Sequence, residues 1–99
     1  MEKGKPSHNL AAFKAAFALN HTISVAAART AVELGYEKER RAEVVAQMTR
    51  QHFYKSVTSH ADHKQWQDVY HVPHDGRVLY LKFTESVVTE FILLSFKEK

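Results

Sequence analysis

The chain contains no cysteine and no long uninterrupted run of apolar residues. Without cysteine it can form neither a disulfide nor a thiolate metal site, which fits a reducing cytosol. The apolar run FILL at residues 91–94, like the other apolar runs of the chain, is far too short to span a membrane. The opening MEKGKPSH lacks the apolar stretch of a signal peptide. We therefore expect a cytoplasmic protein that makes no contact with membranes.

The composition is that of a small soluble globular protein. Its 99 residues are 44% hydrophobic and 25% charged, which predicts one domain over residues 1–99. The formal net charge is +3, and residues 1–50 hold eight Lys and Arg against five Asp and Glu. A mildly basic chain permits a polyanionic partner without requiring one, and a solvated helix face explains the same excess.

The first half of the chain has a helical pattern. Ser7 is a candidate N-cap for a first helix, in which Leu10, Phe13 and Phe17 recur at helical spacing. Ser24 is a candidate N-cap for a second helix, which we expect to end at Gly35. Residues 37–48 predict a third helix with acidic residues in its first turn, whose apolar face is formed by Val44, Val45 and Met48.

The second half alternates between apolar and polar residues, as strands do. Residues 53–70 predict a strand, a polar loop and a second strand; residues 78–84 and 91–97 predict two more. The turn before the third strand is predicted at residues 73–76, and the connection before the fourth between Glu85 and Glu90. We therefore predict an α+β fold, an antiparallel meander with the helices packed on one face.

The alternation also predicts which side chains share a face of the sheet. In residues 78–84 we place Leu79, Leu81 and Phe83 on one face and Val78, Tyr80, Lys82 and Thr84 on the other. In residues 91–97 we place Ile92, Leu94 and Phe96 on one face and Phe91, Leu93, Ser95 and Lys97 on the other. Tyr80 and Lys97 thus lie opposite the apolar triplets of their strands and are available to a ligand.

Four ordered segments resemble a known family. FYKS at 53–56, SHADHKQWQDVY at 59–70, LYLK at 79–82 and SFKEK at 95–99 resemble the MqsR family, mRNA-cleaving toxins of type II toxin–antitoxin systems. The resemblance implies a fold similar to RelE-type toxins, in which helices back a curved antiparallel sheet. It also implies an endoribonuclease that needs no metal or cofactor and cuts mRNA at short GC-containing sites.

The same resemblance implies a site and a partner. The family's catalytic residues fall on Lys55, Gln67, Tyr80 and Lys97, and we expect Tyr54 and Lys82 to contact the RNA. The implied partner is a cognate antitoxin, a zinc-binding protein with a helix-turn-helix domain, through which alone operator DNA would be bound.

The chemistry of RNA cleavage suits these residue types. When a 2′-hydroxyl attacks the adjacent phosphate, two lysines can stabilise the developing charge, and a glutamine can both donate and accept hydrogen bonds. A tyrosine with its ordinary pKa near 10 is a poor base unless lysines lower that pKa. Lys55 is less clear than the others, because Phe53 and Val57 share its nominal face, so a β-bulge or a two-sided strand is possible.

Other interpretations remain open at this point. Two histidines could act as acid and base, or His60, Asp62, His63, His71 and His74 could hold zinc, although their spacing matches no known signature. We assign His63 and His71 no obligatory proton transfer. Trp66 is expected in the core, while Tyr54 could be a cross-strand partner or a base-stacking platform. A noncatalytic RNA- or protein-binding module on the same scaffold is the alternative function.

Overall fold

The strands form one antiparallel sheet in the order β1-β2-β3-β4-β5. In this computed structural model, the described residues are 1–86 and 90–99. The elements, in chain order, are β1 (Glu2–Lys3), α1 (Leu10–Asn20), α2 (Val25–Glu33), α3 (Lys38–Gln47), a 3₁₀ turn (Arg50–His52), β2 (Phe53–Thr58), β3 (Trp66–His74), β4 (Arg77–Ser86) and β5 (Glu90–Glu98). The predicted α+β fold with a meander is confirmed. The predicted β4–β5 connection includes residues 87–89, which lie outside the described residues.

Strand β1 was not predicted. It contributes only two residues, which pair with Ser56 and Val57 of β2, and no alternation can be detected over so short a segment. It nevertheless extends the sheet by one strand beside β2.

The helix caps agree with prediction in α2 but not in α1. Ser24 accepts a hydrogen bond from the Ala27 amide at 3.1 Å, and Gly35 has a positive φ of 87° just after α2, as expected. Helix α1, however, is capped by Asn9, whose side chain accepts from the Ala12 amide at 2.9 Å. Ser7 is wrong as a cap because its hydroxyl lies 2.7 Å from the Ser56 hydroxyl, which ties the chain to β2 instead.

The core lies between the three helices and one face of the sheet. Its buried side chains come from every helix and from β3, β4 and β5: Phe13, Phe17, Ala27, Ala31, Tyr36, Val44, Val45, Met48, Tyr70, Val72, Leu79, Leu81, Phe83, Phe91, Leu93 and Phe96. Phe13 of α1 stacks on Phe83 of β4 with ring centroids 3.9 Å apart. Since side chains alternate along a strand, residues between the core positions of β3 and β4 point to the opposite, open face.

A β-bulge in β5 overturns part of the predicted alternation. Lys82 pairs with Ser95 and Phe83 with Leu93, so Leu94 is an extra residue without a direct partner on β4. The bulge reverses the facing of the strand: Phe91 and Leu93 are buried before it and Phe96 after it. The predicted core positions of Ile92 and Leu94 are therefore wrong, whereas Phe96 lies in the core and Lys97 on the opposite face, as predicted.

The β3–β4 turn is shorter than predicted. Pro73 and His74 belong to β3, where they pair with Val78 and Arg77, so their assignment to the turn is wrong. Only Asp75 and Gly76 turn the chain, with φ of 52° and 79°. Positive φ at both central residues is what a tight two-residue hairpin requires, and the Asp-Gly pair supplies it at low cost.

The two edges of the sheet differ. On the outer side of β5, the Ser24 amide donates to the Leu93 carbonyl at 2.9 Å, and the Leu93 amide donates to the Thr22 carbonyl at 3.1 Å. The Thr30 hydroxyl donates to the Phe96 carbonyl at 2.6 Å. The start of α2 therefore covers the β5 edge, whereas β1 and the start of β2 form the opposite edge. None of the helices in residues 1–86 and 90–99 is long and apolar enough to cross a membrane.

Candidate active site

The open face of the sheet carries the predicted catalytic residues in neighbouring rows. His71 of β3 is directly opposite Tyr80 of β4, and Tyr80 is directly opposite Lys97 of β5. The next row contains Val69 of β3 and Lys82 of β4, with Lys55 at its β2 end. Because paired residues on adjacent strands lie about 5 Å apart, side chains from four strands meet on this face.

A β-bulge in β2 determines which of its side chains reach the open face. Phe53 pairs with Tyr70 and Lys55 with Val69, so β2 carries one extra residue, Tyr54, at this point. Phe53 consequently packs toward the core, edge-on to Tyr70, while Lys55 turns to the open face. The β-bulge that the sequence left open for Lys55 is present.

Three rings cross the open face between two lysines. We call Tyr54, His71 and Tyr80 the aromatic row. Tyr54 stacks on His71 with centroids 4.2 Å apart and planes 22° from parallel, and His71 lies 5.9 Å from Tyr80. The Lys55 ammonium is 5.3 Å from the Tyr54 ring centroid, and the Lys97 ammonium is 5.0 Å from that of Tyr80. The aromatic row therefore has a lysine ammonium over the ring at each of its two ends.

A cavity of about 580 Å³ lies beside the aromatic row. It is lined by Met1, Lys55, Val57, Thr58, Ser59, His60, Ala61, Gln67, Tyr80 and Lys82. Lys55, Gln67 and Tyr80, three of the four predicted catalytic residues, share this cavity with Lys82. The fourth, Lys97, is not among the lining residues, but its ammonium lies over the ring of Tyr80, which lines the cavity.

The lysines of the face differ in their surroundings. Lys55 donates to the Glu2 carboxylate at 3.1 Å, and this hydrogen bond is the main reason that its pKa is raised. Burial, and then the charge of Lys97, lowers the pKa of Lys82. Gln67 donates to the side chain of Gln65 at 3.3 Å, which orients its amide within the cavity wall. The result is a cationic face on which Lys55, Lys82 and Lys97 lie around Tyr80.

The chain matches, over residues 5–98, the family described as motility quorum-sensing regulator, toxin of MqsA. It belongs to this family. The chain is also similar to the mRNA interferase toxin MqsR of Escherichia coli (strain K12), with 39% identity over 67 residues. That match covers 68% of this chain and 66% of the relative, slightly less than two thirds of the relative's length. The resemblance inferred from the four segments is thereby confirmed.

The family match covers β2 to β5 of the open face, including His71, which the sequence analysis considered as a zinc ligand and to which it gave no obligatory proton transfer. His71 lies at the centre of the aromatic row and is partly exposed. Burial, and then the charges of Lys99 and Lys55, lowers its pKa. Counting back from an Asp75–Gly76 turn places His71 opposite Tyr80, so a correctly assigned turn would have identified it.

The remaining histidines of this MqsR-family chain are scattered. His60 lines the edge of the cavity and His63 is exposed in the β2–β3 loop. His74 Nδ1 is 2.7 Å from the Tyr36 hydroxyl, on the side of the helices. Within residues 1–86 and 90–99, no three His, Asp or Glu side chains are grouped so that they could hold a metal ion.

Trp66 is not the core residue that we expected. It is partly exposed at the start of β3, and the Lys3 ammonium lies 4.1 Å above its ring. The core ends nearer the middle of β3, with Tyr70 and Val72, because Asp68 occupies the preceding inward position. Thr84, predicted on the face of Tyr80, is buried and donates to the Trp66 carbonyl at 2.8 Å.

Proposed function

We propose that this protein is the toxin of a type II toxin–antitoxin system, an endoribonuclease that cleaves mRNA without a metal ion. The observation that carries the proposal is the cavity that Lys55, Gln67, Tyr80 and Lys82 share on a cationic sheet face. Membership of the MqsR family supports it, as does similarity to a protein named an mRNA interferase toxin.

In the proposed reaction, the RNA supplies its own nucleophile. The 2′-oxygen loses its proton and bonds to the adjacent phosphorus, and the bond from phosphorus to the 5′-oxygen breaks. Lys55 and Lys97 bind the phosphate oxygens, where charge develops in the transition state, and such fixed charges are usually the largest catalytic contribution. Gln67 orients the phosphate or the attacking hydroxyl, and Tyr80, which lies beside Lys97, exchanges a proton with the leaving oxygen.

The substrate is single-stranded mRNA in the cytoplasm, cut at short GC-containing sites. A single strand can present unstacked bases, which proteins bind by stacking on aromatic rings. The Tyr54 side chain suits this role because it is 52% exposed while its ring stacks on His71. Lys82 is placed in the cavity wall to contact the backbone of the bound nucleotide.

The proposed partner is a cognate zinc-binding antitoxin with a helix-turn-helix domain, which would carry the complex to operator DNA. The family description, toxin of MqsA, supports the existence of such a partner. An edge strand offers unpaired backbone groups for strand addition. Since α2 covers β5, the β1–β2 edge is the one that suits an added strand.

The decisive experiment analyses the products of cleavage of a single-stranded RNA. We expect a 2′,3′-cyclic phosphate and a 5′-hydroxyl, formed equally well in EDTA. The same RNA with 2′-deoxyribose before the cut should bind and remain intact. Lys97→Ala and Tyr80→Phe should each lower kcat by about ten- to a thousandfold. Lys38→Ala, which removes an exposed lysine of α3, is the matched control and should cleave normally.

Two outcomes would replace the proposal. Tight RNA binding without any cleavage, together with normal bacterial growth when the chain is expressed alone, would favour a noncatalytic binding module. Activity lost in EDTA and restored by zinc would instead require a metal-dependent mechanism built on the histidines.

A further inference from the structure

We propose that His71 is a further catalytic residue, the general base that takes the proton from the attacking 2′-hydroxyl. The inference rests on the proposed function, since it assigns a step within the same reaction. It departs from the expectation drawn from sequence, in which His71 had no obligatory role.

The position of His71 is the first argument. Its neighbour across the strands is Tyr80, and the neighbour of Tyr80 is Lys97, so the three side chains form a straight row over β3, β4 and β5. Adjacent strands are about 4.8 Å apart. A phosphate held between Tyr80 and Lys97 therefore brings the adjoining ribose over His71, one strand away. A base must lie within hydrogen-bond reach of the proton that it removes, and this arrangement provides that reach.

The way the ring is held is the second argument. One face of His71 stacks on Tyr54 at 4.2 Å, and Tyr80 lies on the β4 side at 5.9 Å. Packing between two rings fixes the orientation of the imidazole. Its ring nitrogens form no hydrogen bond with another residue of the described part of the chain. A neutral imidazole has one acceptor nitrogen, and here that nitrogen is left for the substrate.

The protonation state agrees with this geometry. The titratable groups around His71 are Tyr54 and Lys55 on β2, Tyr80 on β4, and Lys97 and Lys99 at the end of the chain. Burial first, then the charges of Lys99 and Lys55, lowers the pKa of His71 below its ordinary value of 6.5. The imidazole is therefore neutral at neutral pH and able to accept a proton. Lysine, glutamine and tyrosine have no ordinary pKa near neutrality, whereas histidine does.

In the proposed reaction, protons are exchanged only between the RNA and two residues of the aromatic row, His71 and Tyr80. His71 takes the proton of the 2′-hydroxyl as the bond from the 2′-oxygen to phosphorus forms. The bond to the 5′-oxygen breaks, and that oxygen takes a proton from the Tyr80 hydroxyl. The imidazolium and the phenolate that result lie on directly paired residues. Transfer of the proton from His71 to Tyr80, directly or through water, restores both groups for the next turnover.

The test measures the pH dependence of kcat/KM on a single-stranded oligoribonucleotide that the wild-type protein cleaves. We expect the wild-type rate to fall as pH drops through the pKa of His71, below 6.5. His71→Phe keeps a ring to stack on Tyr54 but has no basic nitrogen, and His71→Gln keeps a polar side chain. Both should lower kcat roughly a hundredfold or more and should lose the acid limb of the profile. His63→Gln, in the exposed loop, is the control and should retain the wild-type profile.

Affinity for the 2′-deoxy analogue separates catalysis from binding. We expect both His71 variants to bind it within about threefold of wild type, because a base acts only in the transition state. Weaker binding at an unchanged kcat would overturn the inference and leave His71 as a stacking platform. So would a wild-type acid limb that persists in His71→Gln. If the wild-type protein itself formed no cyclic phosphate, the proposed function would fail instead.

Discussion

Asp68 holds Ser7 at the edge of the core: the Ser7 amide donates to both Asp68 carboxylate oxygens, at 3.0 and 3.1 Å. The His8 amide donates to the same carboxylate at 2.8 Å, and Asp68 is fully buried. A buried carboxylate that accepts backbone hydrogen bonds in this way fixes the path of the chain between β1 and α1. It thereby keeps β1, which carries Glu2 and Lys3, beside the site.

Asp68→Asn should destabilise the protein strongly. The amide would replace one acceptor oxygen by an NH₂ group, which faces amide donors and leaves them unpaired. We expect the free energy of unfolding to fall by about 2–4 kcal/mol, measured by urea denaturation. Glu98→Gln, at an exposed position on β5, is the control and should change stability little. A loss for Asp68→Asn no larger than that of the control would show that the carboxylate does not anchor the segment.

The Tyr70 hydroxyl should make the protein sensitive to alkali. Burial, and then the nearby Asp68 carboxylate, raises the pKa of Tyr70 from 10.0 to about 12. The unfolded chain releases this proton near pH 10 and the folded chain only near 12, so stability is complete below pH 10 and falls as pH rises between these values. The loss should reach about 2 kcal/mol in denaturation curves measured across this range.

Tyr70→Phe tests the source of that sensitivity. Among residues 1–86 and 90–99 the buried Tyr70 hydroxyl has no hydrogen-bond partner, so its removal should leave stability at neutral pH unchanged or slightly higher. The alkaline loss should disappear, while the exposed Tyr54→Phe should retain it. If the alkaline loss of stability persists in Tyr70→Phe, another group must cause it.

Glu2→Gln should strengthen RNA binding. The Glu2 carboxylate holds the Lys55 ammonium at 3.1 Å and so competes with phosphate for it, while its own charge repels RNA. Neutralising it should raise affinity for the 2′-deoxy analogue about two- to fivefold at low salt, with a smaller gain at higher salt. Glu33→Gln, on α2, provides the matched change of charge away from the site. Weaker binding by Glu2→Gln would mean that Glu2 is needed to position Lys55.

Antitoxin binding should protect amides of β1 and β2 from hydrogen exchange. The β5 edge already bonds to residues 22–24, whereas the β1–β2 edge is bounded by a strand of only two residues. Exchange measured with and without the antitoxin should therefore slow most in β1 and β2. Protection confined to α2 and β5 would place the partner on the opposite edge.

Much of the fold could be predicted because its helices and most of its strands follow simple periodicities. Ser24, Gly35 and the apolar face of α3 act locally, and local signals were sufficient for them. Some of the errors involved relations between distant segments. Asn9 rather than Ser7 caps α1 because Ser7 is bonded to Asp68 and Ser56, some fifty or more positions away in sequence.

The site residues were likewise predicted from local sequence patterns, together with the family resemblance. Tyr80 and Lys97 follow from the strand pattern and the family resemblance, and both lie on the open face. The facing of Ile92 and Leu94 did not follow, because a bulge changes the alternation within β5 and no single residue type marks it. His71 was considered as a zinc ligand but was given no obligatory proton transfer, because its pairing with Tyr80 follows only from the two-residue turn.

The bulge at Tyr54 makes the number of residues in β2 as important as their identity. Upstream of it Phe53 belongs to the core, and downstream Lys55 belongs to the site. Deleting Tyr54 would restore strict alternation, and either the lysine or the phenylalanine would then have to exchange faces. A chain one residue shorter could keep every other amino acid and still lose either the packing of Phe53 in the core or the Lys55 ammonium on the open face.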